Sequence, residues 1–188
     1  MARIHVCIGL LVCFLFAGTA SDAFSVDSAA LAILELPVPK SPDARKYLGI
    51  SKSGNFRVSE ITSEVVIVEV FSMYCPYCQA DALNVNELYK LIESDPALKR
   101  RIRMIGIGTG NTPFEVEVFR KKYDVKFPLF PDEGFSVQKI SSEPIRTPTF
   151  ITLRRKADKS FTILDTHIGE TKEAGAFLKK ILDGVNRK

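Results

Sequence analysis

Four consecutive β-branched residues, Val65-Val66-Ile67-Val68, limit how this chain can fold more than any other feature. A continuous apolar run with no polar alternation suits a central strand covered on both faces. The run continues through Glu69-Val70-Phe71 and Ser72-Met73-Tyr74 into Cys75-Pro76-Tyr77-Cys78, where a helical pattern begins. Pro76 fits the first helical position, which needs no backbone N–H. From Cys78, Asp81, Val85, Leu88 and Ile92 follow at offsets of 3, 7, 10 and 14, one stripe of an amphipathic helix. Cys78 therefore opens the inward face of that helix, and Cys75 precedes it at the exposed N-terminus.

This placement gives the two thiols different chemistry. Free N–H groups and the positive end of a helix dipole favour a thiolate, so Cys75 is expected to ionise below the free value of about 8.5, within the ~3.5–7.5 range of such sites. Cys75 is the expected nucleophile. Cys78, one turn further in, is the resolving sulfur that breaks a mixed disulfide and leaves the pair oxidised. Half of a zinc site is the competing explanation of this spacing. Zinc needs about four ligands, however, and the remaining cysteines and histidines, Cys7, Cys13, His5 and His167, supply no second pair. No metal is expected.

The string from Val68 to Cys78, VEVFSMYCPYC, resembles the active-site segment of thioredoxin-fold oxidoreductases and is most similar to the DsbA type. From about Tyr47 onward the order of elements resembles instead the TlpA/ResA group of extracytoplasmic thiol-disulfide oxidoreductases, the redoxins. The resemblance implies an α/β, thioredoxin-like fold: a central mixed β-sheet flanked by helices, with an N-terminal β extension and an αβ insertion before a strand that begins at a cis-proline. Thr147-Pro148 stands at that strand start, and the resemblance implies a cis bond facing the cysteines, with backbone groups turned toward a substrate chain. Tyr74, Pro76 and Tyr77 complete the implied substrate-contacting set. Glu69 matches the buried acid of thioredoxin-like and DsbA-like chains, whose implied role is to accept or relay the proton of Cys78; an acid paired with a nearby lysine is the alternative. Asp81 stands where TlpA-like chains commonly carry Glu. It is expected either to influence Cys78 or only to favour the first helical turn.

At the N-terminus, Arg3, the apolar run Val6 to Ala17 and the small residues before Ala20 and Ala23 read as a secretory signal over residues 1–23, or as an anchor if uncleaved. Val12 before Cys13 argues against a lipoprotein site. Export places the chain where thiol-disulfide exchange is productive, so a periplasmic or secreted location is expected. Residues 24–42 read as a linker or loosely packed entry segment broken by Pro37, Pro39 and Pro42, and 43–188 as the thioredoxin-like domain. Gly54 to Ile61 alternates like an edge strand leading into a turn. Arg101 to Ile107 reads as a strand, Thr112-Pro113-Phe114-Glu115 as a capping box opening a helix to about Tyr123, and Phe127 to Phe130 as a short strand. A hairpin over Phe150 to Leu164 and a helix from about Thr171 close the chain.

The formal charge of +4, without interleaved aromatic residues in its basic cluster, leaves no nucleic-acid footprint. The expected function is disulfide exchange with thiol- or disulfide-containing proteins through a redox-active Cys75–Cys78 pair, with no other cofactor. A membrane electron donor or acceptor is the implied partner. The TlpA-like outline favours a reductase and the DsbA-like string an oxidase, and of these the reductase is the expectation. Two other chemistries fit parts of the pattern: a peroxiredoxin-like peroxidase using Ser72 and Arg146 beside Cys75, and a soft-metal chaperone holding copper through the thiolates.

Overall fold

The computed structural model describes residues 24–187, so the signal or anchor expected at 1–23 lies outside the described residues. In chain order the elements are α1 (Ser28–Ile33), β1 (Glu35–Pro37), α2 (Pro42–Leu48), β2 (Asn55–Arg57), a 3-10 turn (Val58–Glu60), β3 (Val65–Phe71), α3 (Pro76–Ser94), α4 (Pro96–Arg101), β4 (Ile102–Thr109), α5 (Pro113–Lys122), β5 (Leu129–Asp132), α6 (Ser136–Lys139), β6 (Thr149–Arg155), β7 (Phe161–Ile168) and α7 (Ala174–Asn186). No helix among the described residues is long and apolar enough to cross a membrane.

Every residue of β3 is buried, and the strand lies at the centre of a five-stranded sheet of order β5-β4-β3-β6-β7. β4 and β5 run parallel to it, whereas β6 pairs antiparallel with β3 and β7 antiparallel with β6. This is the mixed sheet flanked by helices of the thioredoxin-like fold. The pleat sorts side chains between two cores. Val65, Ile67 and Phe71 point into a cluster with α3, α5 and α7, where Phe71 and Phe119 stack at 4.7 Å. Val66, Val68 and Val70 point the other way, toward α1 and the antiparallel β1–β2 ribbon. With both faces of β3 covered, its uninterrupted apolar sequence is what the strand requires.

The N-terminal segment differs from its expected role as a linker. Asp27 caps α1 by accepting from the N–H groups of Ala29 and Ala30, and Val26, Leu31 and Leu36 enter the core beneath the sheet. Prolines suggested an open tether, but Pro37 ends β1 and Pro42 occupies the first turn of α2, both positions that tolerate a missing N–H. The segment is therefore the layer that covers the second face. The fifth strand also begins later than Phe127 and extends through Pro131 to Asp132, because its ladder with β4 runs from Gly106–Leu129 to Thr109–Asp132. Short helices α1, α2, α4 and α6, of four to seven residues, carry too few turns to show a periodic stripe.

If residues 24–42 belong to the core, Leu31→Ala should lower the unfolding free energy by about 2–5 kcal/mol, the usual range for emptying a buried leucine site. Urea denaturation checks this; a loose tether would give a change near zero.

Candidate active site

β3 delivers the chain to the site and α3 receives it. Cys75 is the N-cap residue of α3 in extended conformation (φ −81°, ψ 116°), its side chain makes no capping bond, and Pro76 is at the helix start. The Cys75 sulfur is thus left beside the free N–H groups of the first turn. Cys75 is partly exposed and Cys78 fully buried, both as free thiols. The expected outward and inward placement of the two sulfurs is what the structure has.

Their surroundings separate their acidities. Partial burial opposes ionisation of Cys75. The Thr147 side chain, the backbone N–H and thiol of Cys78 and the backbone N–H of Tyr77 act against it and leave the Cys75 pKa below the ordinary thiol value. When protonated, Cys75 Sγ donates to Thr147 O at 3.0 Å. Cys78 is pushed far up, first by burial and then by the negative charge that Cys75 and Glu69 carry when ionised; a bond from the Ser72 backbone offsets only part of this. The two thiols therefore differ in acidity, the partly exposed one lowered and the buried one raised.

Glu69 faces the same interior, 3% exposed, opposite Gly106 in β4 and Phe150 in β6. Burial, together with repulsion from Asp81, raises its carboxyl to about 8. Asp81, fully buried one turn beyond Cys78, accepts from Thr171 N at 2.8 Å, from Thr171 Oγ1 at 3.0 Å and from Asn84 Nδ2 at 2.9 Å. It joins α3 to the loop before α7, and its electrostatic reach is to Glu69.

The Thr147–Pro148 bond is cis, and Pro148 O accepts from Gly169 N at 2.8 Å. Thr147 therefore stands directly against Cys75. Tyr74 and Tyr77 are about two-thirds exposed on either side of Cys75 in the chain, and Tyr74 Oη donates to Glu115 at the start of α5. His167 packs at 5.2 Å from Phe177, and its Nε2 lies 2.9 Å from Glu170 O. Among the described residues no three His, Cys, Asp or Glu side chains form a metal-binding group. Sequence reasoning missed Thr171, Asn111 and Gln79, all of which hold this site through contacts that only the folded chain creates.

The model of the redoxin family matches residues 39–176, nearly three-quarters of the chain. The chain belongs to the redoxin family. Among curated proteins it is similar to the thiol-disulfide oxidoreductase ResA of Bacillus cereus, 28% identical over 128 residues that span 66% of this chain and 67% of ResA. Among solved structures it superposes on StoA from Bacillus subtilis with TM-score 0.55 at 18% identity, covering 81% of this chain and 98% of StoA. A secreted Mycobacterium tuberculosis disulfide oxidoreductase superposes with TM-score 0.55 at 14% identity, covering 81% and 96% of the two chains. At these identities the structural matches establish the fold.

Glu69 gives this redoxin a pH signature. Below the ordinary carboxyl range both folded and unfolded chains hold its proton. As pH rises the unfolded chain releases it first, so stability falls from about 4.5 until the folded carboxyl ionises near 8. Glu69→Gln should remove this contribution, and the stability of the variant relative to wild type should grow by more than about 1.4 kcal/mol, one pKa unit, between pH 5 and 8. Denaturant titrations at several pH values check it, and parallel curves for the two proteins would contradict it.

Proposed function

We propose that this redoxin is an extracytoplasmic thiol-disulfide oxidoreductase that exchanges disulfides with partner proteins, with Cys75 as nucleophile and Cys78 as resolving thiol. The observation that carries this reading is the pairing of an accessible, acidified sulfur at a helix N-terminus with a buried, protonated one a single turn below. The named activity of ResA and the secretory pattern of residues 1–23 support the same reading.

The steps follow from the geometry. The Cys75 thiolate attacks one sulfur of a partner disulfide; a Cys75–partner S–S bond forms, and the second partner sulfur leaves as a thiolate and takes up a proton. Cys78 then loses its proton to the ionised Glu69 carboxylate, directly or through water, and attacks Cys75 Sγ. The Cys75–Cys78 bond forms, the partner's first sulfur leaves as a thiolate, and two electrons have passed to the partner. Run backward, the same sequence oxidises a partner dithiol. The pair is its own redox group and needs no further cofactor. Glu69 matters because burial sets both proton affinities: an acid near 8 can take the proton of Cys78 and return it, whereas an ordinary carboxylate is too weak a base for a thiol pushed upward.

Thr147 and Pro148 present their backbone beside Cys75, where an extended partner segment can pair, and Tyr74, Pro76 and Tyr77 form the exposed rim. A membrane protein that reloads the pair with electrons fits an exported reductase, and the N-terminal apolar segment, if retained, keeps the domain beside it.

Cys78→Ala should accumulate partner proteins bound through Cys75 by bonds that dithiothreitol releases, and Cys75→Ser should accumulate none. Mass spectrometry after acid quenching checks this; absence of adducts from Cys78→Ala, together with no disulfide exchange by wild type, overturns the assignment. The potential of the Cys75–Cys78 couple, expected between roughly −270 and −120 mV, fixes direction, with the lower end marking a reductase.

A further inference from the structure

The turn that carries Cys75 belongs to neither β3 nor α3. Residues 72–74 separate the two elements, and Cys75 N–H donates to Ser72 O at 3.1 Å to close one turn. Met73, inside that turn, has both main-chain groups taken by side chains from outside it. Its N–H donates to Asn111 Oδ1 at 2.8 Å, and its carbonyl accepts from Gln79 Nε2 at 2.8 Å. Asn111 is completely buried, and its own Nδ2 makes a long 3.5 Å contact to Ser72 Oγ. It fits there because residue 108 is glycine: a Cβ at Gly108 would stand 3.1 Å from Asn111 Oδ1 and 2.9 Å from Val116 Cγ2. A fully buried amide spends its acceptor on a loop 38 residues away, where an unpaired N–H would otherwise be costly.

We infer that Asn111 is a positioning residue for the redox reaction, gripping the Met73 peptide jointly with Gln79 so that Cys75 is held against the first N–H groups of α3 and against Thr147. The inference rests on the role proposed for Cys75. Asn111 does not touch the reacting sulfurs; it acts through the turn. The Cys75 sulfur lies beside the first N–H groups of α3 without a capping bond to them, so how strongly they favour its thiolate depends on the angle at which the turn enters the helix. Two grips on one residue, one from α3 itself and one from the loop that leads into α5, fix that angle from opposite sides.

The test titrates the Cys75 thiolate by its absorbance at 240 nm in the full chain, comparing wild type with Asn111→Ala and Gln79→Ala and following thermal melting alongside. Either substitution should raise the midpoint of the low-pH step by about one unit, the size of one hydrogen bond to a charged group, and slow alkylation below that midpoint about tenfold. The double variant should shift less than the sum of the two, since both act on one turn. Midpoints within roughly 0.2 unit of wild type overturn the inference, with or without a lower melting temperature, because a purely structural role moves only the melting. If Asn111→Ala does not fold, Gln79→Ala, at the partly exposed side of the grip, decides by the same criterion. A wild-type chain with no step below the ordinary thiol range would instead refute Cys75 as nucleophile, and this inference with it.

Discussion

Burial along a single strand and the turn that follows it governs this site. β3 is covered on both faces and paired on both edges, so whatever the chain places there is removed from water. For six of its seven residues this is favourable apolar burial. For Glu69 it is a cost, visible as a carboxyl held near 8 with no cation to lower it. The same gradient continues past the strand end: Cys78 is enclosed and its thiol pushed upward, whereas Cys75 emerges partly into solvent yet remains close enough to the helix for its pKa to be lowered. The difference between the two sulfurs follows from one turn of helix rising out of the core.

The sheet order explains how distant segments reach this point. β3 is flanked by β4 on one side and β6 on the other, so the loops following β4 and preceding β6 both open at its carboxyl end. The first brings Asn111 and Glu115, and the second brings Thr147 and Pro148. The loop after β7 lies next to the second and supplies Gly169 to Pro148 and Thr171 to Asp81. Three loops distant in sequence thus converge on the helix start that carries the pair of sulfurs. Crevices at strand carboxyl ends are where α/β sheets generally place their chemistry.

What could be read from the chain beforehand follows the same division between local and distant. The β-branched run, Pro76 at a helix start and the stripe from Cys78 through Ile92 are local patterns, and the strand, the helix and the outward and inward placement of the thiols were legible from them. The cis bond at Thr147-Pro148 was inferred through family resemblance, since a proline at a strand start is compatible with either isomer. Asp81 was visible, but its partner Thr171 lies ninety residues away, so neither that bond nor its reach toward Glu69 could be read from helical spacing. Asn111 had no signal at all: an asparagine after Gly110 reads as loop chemistry, and only the fold turns it toward Met73. Residues 24–42 misled for a related reason, because prolines at strand ends and first helical turns look like those of an open linker until the core they cover is in place.

Direction of electron flow follows from how strongly the turn favours the Cys75 thiolate. Each pKa unit by which a thiolate is stabilised below ambient pH favours the dithiol by about 1.4 kcal/mol, which is about 30 mV in a two-electron couple. The span from roughly −270 to −120 mV that separates reductase from oxidase therefore corresponds to about five such units, more than one hydrogen bond supplies. Here burial acts against Cys75 while the nearby polar groups of Thr147, Cys78 and Tyr77 act for it. The balance is set by a few aligned donors rather than by a neighbouring cation. How the Ser72–Cys75 turn sets Cys75 against the start of α3 therefore decides how much of that balance its sulfur receives.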